Sequence, residues 1–439
     1  MSHWFDSLTA WLGAHPQWLG VAVLLIACTE CLAIAGLVVP GTVLLFAVCV
    51  LAGNGALGLW ETLVLAYCGG LAGDLLSYLL GRRFHQNIRR LPLLRDRPHW
   101  LDGAERYFHR YGVVSLLVGR FVGPLRPMLP MVAGMVDMPF GRFLAVSLVA
   151  SAGWSVAYIL PGWAAGAALR LPLPDGFWTA AGIVAVALLA AVALIAHGSL
   201  GAARHASARA AALCLLLLGA LLLGWPYLDS LDRGLMALVQ EHRQPVLDSA
   251  MVLITRAGDY WIQVATGVLL CAILLCARRG RALLFAGCTL LGTALANGAL
   301  KHLFARARPD VLSEPLTSFS LPSGHSSAAF AFFLTLGVLA GREQAPRLRL
   351  AWMLLAGLPP LAIALSRVYL GAHWPTDVIA GTLLAGGVCA ASLSLVQRQA
   401  PLPGLSARLW WLILPACLAL LALYAGWSLP EAMARYRAR

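Results

Sequence analysis

Three short segments in the second half of the chain carry residues that could remove a phosphoryl group. They follow one another as Lys-x6-Arg-Pro, Pro-Ser-Gly-His and Ser-Arg-x5-His-x3-Asp. The residues with candidate roles are Lys301, Arg308, Pro309, Ser323, Gly324, His325, Ser366, Arg367, His373 and Asp377. Lys301 is the only lysine among 439 residues, so its place in the first segment favours a chemical role. Three cations, two histidines and a carboxylate suffice for phosphoryl transfer without a metal or cofactor.

The spacing of His373 and Asp377 predicts a nucleophile and its partner. Four residues at the start of a helix place both side chains on one face, and Pro375 suits the first helical turn. We expect Asp377 to hold one ring nitrogen of His373, so that the other attacks phosphorus and forms a phosphohistidine. His325 follows a Ser-Gly turn at the start of another helix, where it is expected to protonate the leaving oxygen and then activate water.

Other residues of the three segments are predicted to bind phosphate. Lys301, Arg308 and Arg367 would neutralise its oxygens, while Ser323, Gly324 and nearby N–H groups would hold it at a helix N-terminus. Each segment alone has a simpler interpretation: a loop, an ordinary pair at a helix start, or a lysine that anchors at the membrane interface. Their occurrence in this order, at the ends of apolar segments, favours a phosphate site.

These segments match the three signatures of the type 2 phosphatidic acid phosphatase superfamily without a substitution, and residues 210–396 resemble that family. The resemblance implies a core of six helices and a lipid phosphatase that needs no metal. It also implies His373 as nucleophile, His325 as acid and base, and Asp377 as the partner of His373. The phosphate-binding residues that it implies are Lys301, Arg308, Pro309, Ser323, Gly324, Ser366 and Arg367.

The elements that position these residues must cross a membrane. Mean hydropathy is +0.79, 60% of the residues are hydrophobic and 12% are charged, which excludes an ordinary soluble domain. Apolar segments recur along the chain, each long enough for a bilayer core of about 30 Å. In the second half we predict spans near 210–228, 260–277, 282–303, 324–341, 350–368, 377–396 and 408–428. The fold class is therefore an all-α polytopic membrane protein.

The net charge of +13 does not indicate nucleic-acid binding, because the arginines cluster in short loops between spans. Such loops are cytoplasmic by the positive-inside rule. In the second half they lie near residues 278–281, 342–349 and 398–408, and counting spans places the three phosphatase segments on the opposite side. We therefore expect a site that faces the periplasm, in a bacterial inner membrane. The basic C-terminal tail would lie on the same side as the phosphatase segments, which the positive-inside rule does not favour.

The ten cysteines all lie in apolar segments, where we interpret them as packing residues.

The first half places charged residues within or beside apolar segments: Glu30, Asp74, Arg120 and Arg126. Each would cost about 2.5–3.5 kcal/mol at the bilayer centre, so we expect them to pair or to line a wet cavity. Glycine and proline break the segments 18–53 and 113–135, which predicts two re-entrant hairpins that enter from opposite faces. Such elements form substrate sites near the midplane. The alternatives are a structural ion pair for Glu30 and a packing or capping role for Asp74.

Residues 15–200 resemble the DedA family through a Gly-Asp-x3-Tyr-x2-Gly-Arg segment, a Pro-Gly break and a run from Arg120 to Arg126. The resemblance implies opposed re-entrant hairpins and movement of phospholipids or polyprenyl phosphates between leaflets. The run keeps the arginine spacing of the family, but Pro124 stands one position later than in the family pattern. The residues expected on the translocation path are Glu30, Asp74, Arg120 and Arg126.

The chain is thus expected to be a fusion with four parts. We assign residues 1–197 to a lipid translocation domain, 198–209 to a linker, 210–400 to the phosphatase domain, and 401–439 to an additional C-terminal helix and tail. The sequence predicts no role for that last part beyond packing or anchoring.

The leading functional hypothesis joins the two halves in the recycling of a lipid carrier. The second half would hydrolyse undecaprenyl diphosphate, and the first would return undecaprenyl phosphate to the cytoplasmic leaflet as a flippase, with protons as the coupling ion. One alternative is a phosphatase for phosphatidic acid, phosphatidylglycerol phosphate or a lipid A phosphate, with the first half as a phospholipid scramblase or a scaffold. Another is a catalytically inactive receptor. A homo-oligomer is left open.

Overall fold

The computed structural model describes residues 11–437 except residues 34, 39–40, 91–97, 113, 121–124, 202–204, 315 and 428. The regular secondary structure of the described part is helical, so the predicted fold class is confirmed. Two compact units make up the chain, Met1–Pro172 and Leu173–Arg439. The displaced proline of the arginine run, Pro124, lies outside the described residues.

The first unit combines two long helices with several short ones. In chain order they are α1 (Leu19–Cys31), α2 (Ala35–Val38), α3 (Gly41–Leu51), α4 (Leu59–Phe84), α5 (Pro98–Tyr111), α6 (Val114–Gly119), α7 (Leu125–Met135) and α8 (Phe140–Arg170). Helices α4 and α8 are long and apolar enough to cross a bilayer, whereas α1 and α3 are apolar but shorter. The short helices therefore begin or end within the thickness that the long ones span.

The short helices form two pairs that approach α4 from opposite ends. The start of α1 lies beside the first part of α4, where Gly20 meets Leu65. Helix α7 instead crosses the last part of α4, where Gly81 packs directly on the backbone of Met131. Helix α1 thus begins at one end of α4, and α7 ends at the other. This arrangement matches the opposed hairpins predicted from the sequence.

The second unit is a bundle of longer helices. They are α9 (Phe177–Leu200), α10 (Ala206–Gly224), α11 (Asp229–Glu241), α12 (Pro245–Arg256), α13 (Tyr260–Cys276), α14 (Gly280–Phe304), α15 (Gly324–Ala340), α16 (Pro346–Tyr369), α17 (Pro375–Val396), α18 (Ala407–Gly426) and α19 (Leu429–Arg435). The seven predicted spans correspond to α10 and α13–α18. Over the described parts of both units, eight helices could cross a membrane by length and composition, or nine if α12 and α13, bent by 44°, form one span.

Helix α15 is the centre of this bundle. It has 17 residues, and most of its side chains are buried, including Phe332. Its neighbours contribute fully buried apolar side chains to the same core, such as Leu274 from α13, Phe285 from α14 and Ile413 from α18. Burial on all sides explains why α15 reads as a continuous apolar segment without a polar face.

The basic loops lie together at one end of the bundle. Arg281, in the first turn of α14, donates to the carbonyl oxygens of Val396 (2.8 Å) and Pro401 (3.0 Å). The carboxylate of Glu343, after α15, accepts from the N–H of Gly404 at 2.9 Å. The three loops are thereby joined, and the phosphatase segments occupy the other end of the same helices.

The unit boundary differs from the domain boundary that the sequence suggested at residue 197. Helix α9 packs with the second unit because Phe177 and Ala180 share an apolar cluster with Leu231 of α11. The connection after it is also shorter than the predicted linker, since α9 ends at Leu200 and α10 begins at Ala206. Where the translocation function ends along the chain stays a prediction.

Candidate active site

Four helix ends bring the phosphatase segments together. Lys301 lies in the last turn of α14, Arg367 in the last turn of α16, and His325 and Asp377 in the first turns of α15 and α17. Local sequence fixes these ends: Ser323 is the N-cap of α15, and α17 begins with a proline. The side chains therefore converge from alternate helix ends onto one end of the bundle.

His373 lies just before α17 with its ring buried, at 1% exposure. Nη1 of Arg308 is 3.0 Å from its Nε2. Because a guanidinium can only donate, Nε2 is the acceptor, and the proton of the neutral ring resides on Nδ1. Burial, followed by the charges of Arg308, Arg367 and Lys301, holds the pKa of His373 well below 6.5. The ring is therefore neutral near pH 7, with an unprotonated Nε2 that accepts a hydrogen bond from Arg308.

The link between His373 and Asp377 runs through a residue that the sequence analysis missed. The hydroxyl of Ser320 is 3.3 Å from Nδ1 of His373 and donates a short hydrogen bond to Oδ2 of Asp377. The direct distance from Nδ1 to Oδ2 is 3.6 Å, which is too long for a hydrogen bond. The expected direct contact is thus replaced by a relay. A serine two residues before the Pro-Ser-Gly-His turn was the only available signal.

Asp377 is also held from its other side by a buried ionic network. Arg306 donates to Oδ1 of Asp377 at 2.8 Å and to Asp232 of α11 at 2.6 Å. The guanidinium of Arg306 stacks on Trp225, 4.4 Å from the ring centroid. Neither Arg306 nor Asp232 belongs to the three signatures, and their local sequence gives no signal of this role. They fix the carboxylate that orients the relay.

Arg308 and Lys301 are anchored by one loop. Arg308 donates to the carbonyl of Ser318 at 2.6 Å and to its hydroxyl at 2.8 Å, and Lys301 donates to the carbonyl of Phe319 at 2.6 Å. Burial and the nearby charge of Arg367 lower the pKa of Arg308 to about 10, so its guanidinium remains charged at pH 7. Two predicted phosphate ligands therefore sit beside the nucleophile as cations.

Arg367 contributes a buried cation that forms no salt bridge with the described residues. Its side chain is 1% exposed, and Nη1 donates to the hydroxyls of Thr255 (3.0 Å) and Tyr436 (2.8 Å). Its Nε has no hydrogen-bond partner, and no salt bridge to Arg367 exists within the described ranges. A buried, uncompensated cation is costly unless an anion joins it. The predicted role in phosphate binding fits this environment.

His325 has a partner of its own. Its Nε2 lies 2.8 Å from Oδ1 of Asp259, the residue before α13, and the two side chains are 21% and 27% exposed. The hydroxyl of Tyr424 donates to the other oxygen of Asp259 at 3.3 Å. Asp259 was missed because an acidic residue next to an apolar segment usually marks only a helix start. It pairs with the histidine that was predicted to act as acid and base.

The remaining motif residues have structural contacts. The hydroxyl of Ser323 accepts from the N–H and hydroxyl of Ser326, and its own N–H donates to the carbonyl of Asp377 at 2.9 Å. The hydroxyl of Ser366 donates to the carbonyl of Ile363 at 2.6 Å. Their roles as phosphate ligands, like those of Pro309 and Gly324, stay predictions; Pro309 lies in the loop beside Arg308, and Gly324 beside Lys301.

An apolar cavity of about 920 Å³ begins at this cluster and continues between α13, α14 and α15. Lys301, Arg308, His325 and His373 line its polar end, while Leu275 and Leu283 line it near the basic loops. Gln263 and Thr293 line this cavity, and each carries a buried oxygen, Oε1 and Oγ1, without a hydrogen-bond partner in the described part of the chain. The cavity therefore joins a cationic end to a long apolar body.

The four charged residues predicted in the first unit also come together. Arg126 pairs with Glu30 and Arg120 pairs with Asp74, and all four side chains are at least 94% buried. Both guanidinium groups lie over the ring of Trp154, at 5.2 and 5.9 Å from its centroid. The predicted pairing is present, with each arginine matched to one carboxylate.

This charged cluster lies at the tips of the two short-helix pairs. Glu30 is near the end of α1, and its carboxylate accepts from Thr42 at the start of α3 (2.6 Å). Arg126 begins α7 and also donates to Tyr158 at 3.1 Å. Since α4 and α8 contribute Asp74 and Trp154 from their middle turns, the cluster lies at mid-length of two candidate spans. Such a position is typical of substrate sites between broken helices.

Comparison with known protein families agrees with this division of the chain. A family model of the VTT domain, which is the domain of the DedA family, matches residues 39–164. The model of the PAP2 superfamily, the type 2 phosphatidic acid phosphatases, matches residues 281–401. The chain is a fusion of a VTT domain and a PAP2 superfamily domain. Both resemblances inferred from the sequence are thereby confirmed. The VTT match includes Asp74, Arg120 and Arg126 of the charged cluster but not Glu30. The PAP2 match covers all three phosphatase segments.

Each of three similar proteins matches one part of the chain. The inner membrane protein YabI of Escherichia coli is 41% identical over 152 residues, which are 35% of this chain and 60% of YabI. An uncharacterized membrane protein of Mycobacterium tuberculosis is 31% identical over 171 residues, covering 36% of this chain and 76% of the relative. A crystal structure of a transmembrane PAP2 type phosphatidylglycerolphosphate phosphatase from Bacillus subtilis is 24% identical, with a TM-score of 0.39; it covers 43% of this chain and 96% of that one.

Proposed function

We propose that the PAP2 unit hydrolyses the phosphate of a membrane lipid through a phosphohistidine at His373. One observation carries this proposal: Nε2 of His373 faces Arg308, while Nδ1 is tied through Ser320 to Asp377. This tautomer leaves Nε2 as the nucleophile, and the charged groups around it are placed where a phosphoryl group would develop negative charge.

The reaction divides into two displacements at phosphorus. In the first, Nε2 of His373 forms a bond to phosphorus as the bond from phosphorus to the lipid oxygen breaks. Lys301, Arg308 and Arg367 neutralise the phosphoryl oxygens, and Asp377 stabilises the positive charge on the ring through Ser320. In the second, water attacks the phosphohistidine, so that inorganic phosphate leaves and neutral His373 returns.

His325 supplies and recovers the proton in these two steps. The ring protonates the departing lipid oxygen and then accepts a proton from the attacking water. Asp259 holds Nε2 of His325 at 2.8 Å, which leaves Nδ1 for proton exchange with the substrate. Once the ring is doubly protonated, the carboxylate of Asp259 stabilises its charge, and the ring can then give up a proton in the first step.

The apolar cavity supports a lipid rather than a soluble phosphate ester as the substrate. Its polar end holds the two histidines and two cations, and its apolar walls continue to Leu275 and Leu283. A hydrocarbon chain that enters this cavity would replace exposed apolar surface with packed surface, at about 25 cal/mol per Å². Binding energy from the chain would hold the phosphate at His373.

The leading substrate is undecaprenyl diphosphate, and the product is undecaprenyl phosphate. The fusion favours this choice, because a carrier that is dephosphorylated on the outer leaflet must return to the inner one. We propose that the VTT unit performs the return, with Arg120 and Arg126 exchanging a carboxylate partner for the lipid phosphate. Glu30 and Asp74 would then be released to take up protons.

Proton uptake would assist the return of an anionic lipid. Moving one negative charge inward against an inside-negative potential costs about 2.3 kcal/mol per 100 mV. A proton that travels with the lipid on Glu30 or Asp74 cancels that charge, so the electrical cost disappears. The two carboxylates are suited to this because each has one oxygen without a hydrogen-bond partner among the described residues.

The phosphatase end is assigned to the outer face of a bacterial inner membrane. The basic loops at the other end of the bundle, including the one that contains Arg281, would be cytoplasmic by the positive-inside rule. The name of the relative YabI agrees with an inner membrane location. An outward site would act on lipid diphosphate that is released during envelope synthesis.

A second candidate substrate is a glycerophospholipid with a terminal phosphate. The observation in its favour is the polar pair in the cavity wall, Gln263 and Thr293, whose Oε1 and Oγ1 have no partner among the described residues. Thr293 lies two turns from Lys301, or about 12 Å along α14. If these side chains turn towards the cavity, ester and glycerol groups could satisfy their oxygens, whereas a polyprenyl chain has no polar group at that depth.

The substrate test compares lipids with the purified, full-length protein in detergent and EDTA. Phosphate release is measured from undecaprenyl diphosphate, phosphatidic acid and phosphatidylglycerol phosphate, with His373→Ala as the inactive control. Preference for the diphosphate supports carrier recycling. Preference for a glycerophospholipid would support a role in phospholipid metabolism. The double substitution Gln263→Leu and Thr293→Val should then reduce that preference.

The translocation test uses proteoliposomes that contain undecaprenyl phosphate. Arg126→Ala is expected to abolish exchange between leaflets while phosphate release persists, and His373→Ala is expected to do the reverse. Loss of both activities in Arg126→Ala would instead favour a scaffold role for the VTT unit. Exchange that is unaffected by a protonophore under an imposed proton gradient would contradict the coupling to protons.

A further inference from the structure

The C-terminal segment, Ala407–Arg437, lies outside the residues that match the PAP2 model. Its helix α18 packs against α12 and α13 through a buried apolar face that includes Ile413, Cys417 and Leu421. This face accounts for anchoring, which is the role that the sequence predicted. Two tyrosines of the segment, however, make polar contacts with the proposed active site.

The first contact is made by Tyr424, near the end of α18. Its hydroxyl donates to Oδ2 of Asp259 at 3.3 Å, and Oδ1 of the same carboxylate is 2.8 Å from His325. The ring of Tyr424 also lies under the guanidinium of Arg256, 5.0 Å away. Asp259 is therefore held between a tyrosine of the added helix and the proposed acid and base.

The second contact is made by Tyr436, beyond α19. Its side chain is 5% exposed, its hydroxyl accepts from Nη1 of Arg367 at 2.8 Å, and its ring centroid is 5.4 Å from the guanidinium. The other partner of that nitrogen is the hydroxyl of Thr255 at 3.0 Å. Both partners are neutral, so they orient Arg367 without cancelling its charge.

The tail that bears Tyr436 is fixed to the rest of the unit. Arg243 donates to the carbonyl of Tyr436 at 2.9 Å, and the N–H of Ser313 donates to the carbonyl of Arg437 at 3.0 Å. The charge of Arg435 also contributes to the lowered pKa of Arg308, after burial and Arg367. The basic tail is thus placed at the phosphate end of the unit, where its charge can attract an anionic headgroup.

We propose that this C-terminal segment completes the phosphatase site, with Tyr436 positioning Arg367 and Tyr424 positioning the Asp259–His325 pair. The proposal rests on the proposed phosphatase function. It assigns the positive tail to substrate binding and the added helix to proton transfer, beyond anchoring. Both tyrosines act through another residue, so they are positioning residues.

Substitutions of the two tyrosines are expected to have different effects. Tyr436→Phe removes a hydrogen bond to a charged group, which is worth about 1.5–3 kcal/mol, so the affinity for an oxyanion should fall about tenfold to a hundredfold. Tyr424→Phe frees one oxygen of Asp259, so the pH dependence of kcat should shift while oxyanion affinity is retained. Tyr227→Phe is the matched control, because Tyr227 is 87% exposed.

The experiment measures orthovanadate binding to the full-length protein by thermal shift, together with phosphate release as kcat and KM. A double-mutant cycle adds Arg367→Lys. If Tyr436 acts through Arg367, Tyr436→Phe should reduce the affinity for vanadate less in the Arg367→Lys protein than in the wild type. The melting temperature without vanadate shows that each variant is folded.

The outcomes separate this inference from the proposed function. Weaker vanadate binding in Tyr436→Phe, non-additive with Arg367→Lys, together with a shifted kcat profile in Tyr424→Phe, supports the inference. Vanadate binding and pH profiles equal to those of Tyr227→Phe overturn it, even when the wild type is an active phosphatase. If the wild type releases no phosphate from any lipid, the proposed function fails, and an unchanged vanadate affinity in Tyr436→Phe still overturns the inference.

Discussion

Ser320 separates His373 from Asp377: its hydroxyl is 3.3 Å from Nδ1 of the histidine and donates to the carboxylate, while Nδ1 and Oδ2 are 3.6 Å apart. The hydroxyl can accept from Nδ1–H and donate to Asp377 at the same time. A single serine therefore fixes the tautomer in which Nε2 carries no proton. Asp377 stabilises the charged ring from a distance, through a polarised hydrogen bond.

Replacement of Ser320 tests this relay. Ser320→Ala removes the bridge and is expected to lower kcat about tenfold to a hundredfold, because the charged ring loses its link to Asp377. KM should change little, since the hydroxyl of Ser320 contacts His373 and Asp377 and no predicted cationic phosphate ligand. Phosphate release by Ser320→Ala is compared with that of Ser207→Ala, a serine of α10 away from the site. Equal kcat in the two variants would show that Asp377 supports His373 without the serine.

Arg306 is predicted to be a stability residue. Arg306→Met leaves Asp232 and Asp377 buried without their common cation, which should cost about 3–5 kcal/mol of folding free energy. Arg233→Met is the control, because that arginine is 66% exposed and pairs with Asp229 at the surface. Thermal unfolding in detergent measures the stability of both variants. Adding Asp232→Asn to Arg306→Met should restore part of the loss, and a further loss would contradict the network.

The low pKa of His373 predicts a pH dependence of stability. Its pKa in the folded protein lies below the unfolded value of about 6.5, so the unfolded chain binds the proton more readily. The stability contributed by the neutral ring is present above pH 6.5 and is lost as the pH falls below it, at up to about 1.4 kcal/mol per pH unit. His373→Gln should therefore lose less stability than the wild type between pH 7 and pH 5. An equal loss of stability in the two proteins between pH 7 and pH 5 would contradict a buried neutral ring.

Gly41 provides a test of the charged cluster in the VTT unit that leaves every charge in place. A Cβ at this position would overlap with Oε2 of Glu30, so Gly41→Ala should displace the carboxylate from Arg126. We expect lipid exchange in proteoliposomes to fall at least several-fold. Gly141→Ala is the control, since nothing lies within 4 Å of its Cβ position. Equal exchange rates in the two variants would mean that the position of Glu30 is not critical.

The sequence predicted the parts of the site that follow from apolar patterning, from short motifs and from the cost of buried charge. The helical spans follow from apolar runs, the pairing of buried charges from the cost of unpaired charge in a membrane, and the meeting of His325, His373 and Asp377 from the order of the three segments at span ends. The opposed hairpins followed from glycine and proline breaks. These are local patterns, and the structure reproduces them.

The residues that were missed act across long sequence separations. Ser320, Asp259 and Tyr436 reach the site from different helices or loops, and nothing in their local sequence distinguishes them from a turn serine, a helix-start aspartate or a tail tyrosine. The helix α9 was assigned to the first domain because its apolar pattern does not indicate which neighbour it packs on. Tertiary contacts decide such cases, and one sequence does not specify them.

The central claim is that His373 becomes phosphorylated during turnover. The most direct measurement is to mix the purified protein in EDTA with undecaprenyl diphosphate labelled in its terminal phosphate, quench in base and locate the label by mass spectrometry. The His325→Ala variant should accumulate the intermediate, because hydrolysis of the phosphohistidine is slowed without the base. We predict base-stable, acid-labile label on His373, absent from His373→Ala. Phosphate release without any labelled histidine, or label that persists in His373→Ala, would contradict the account.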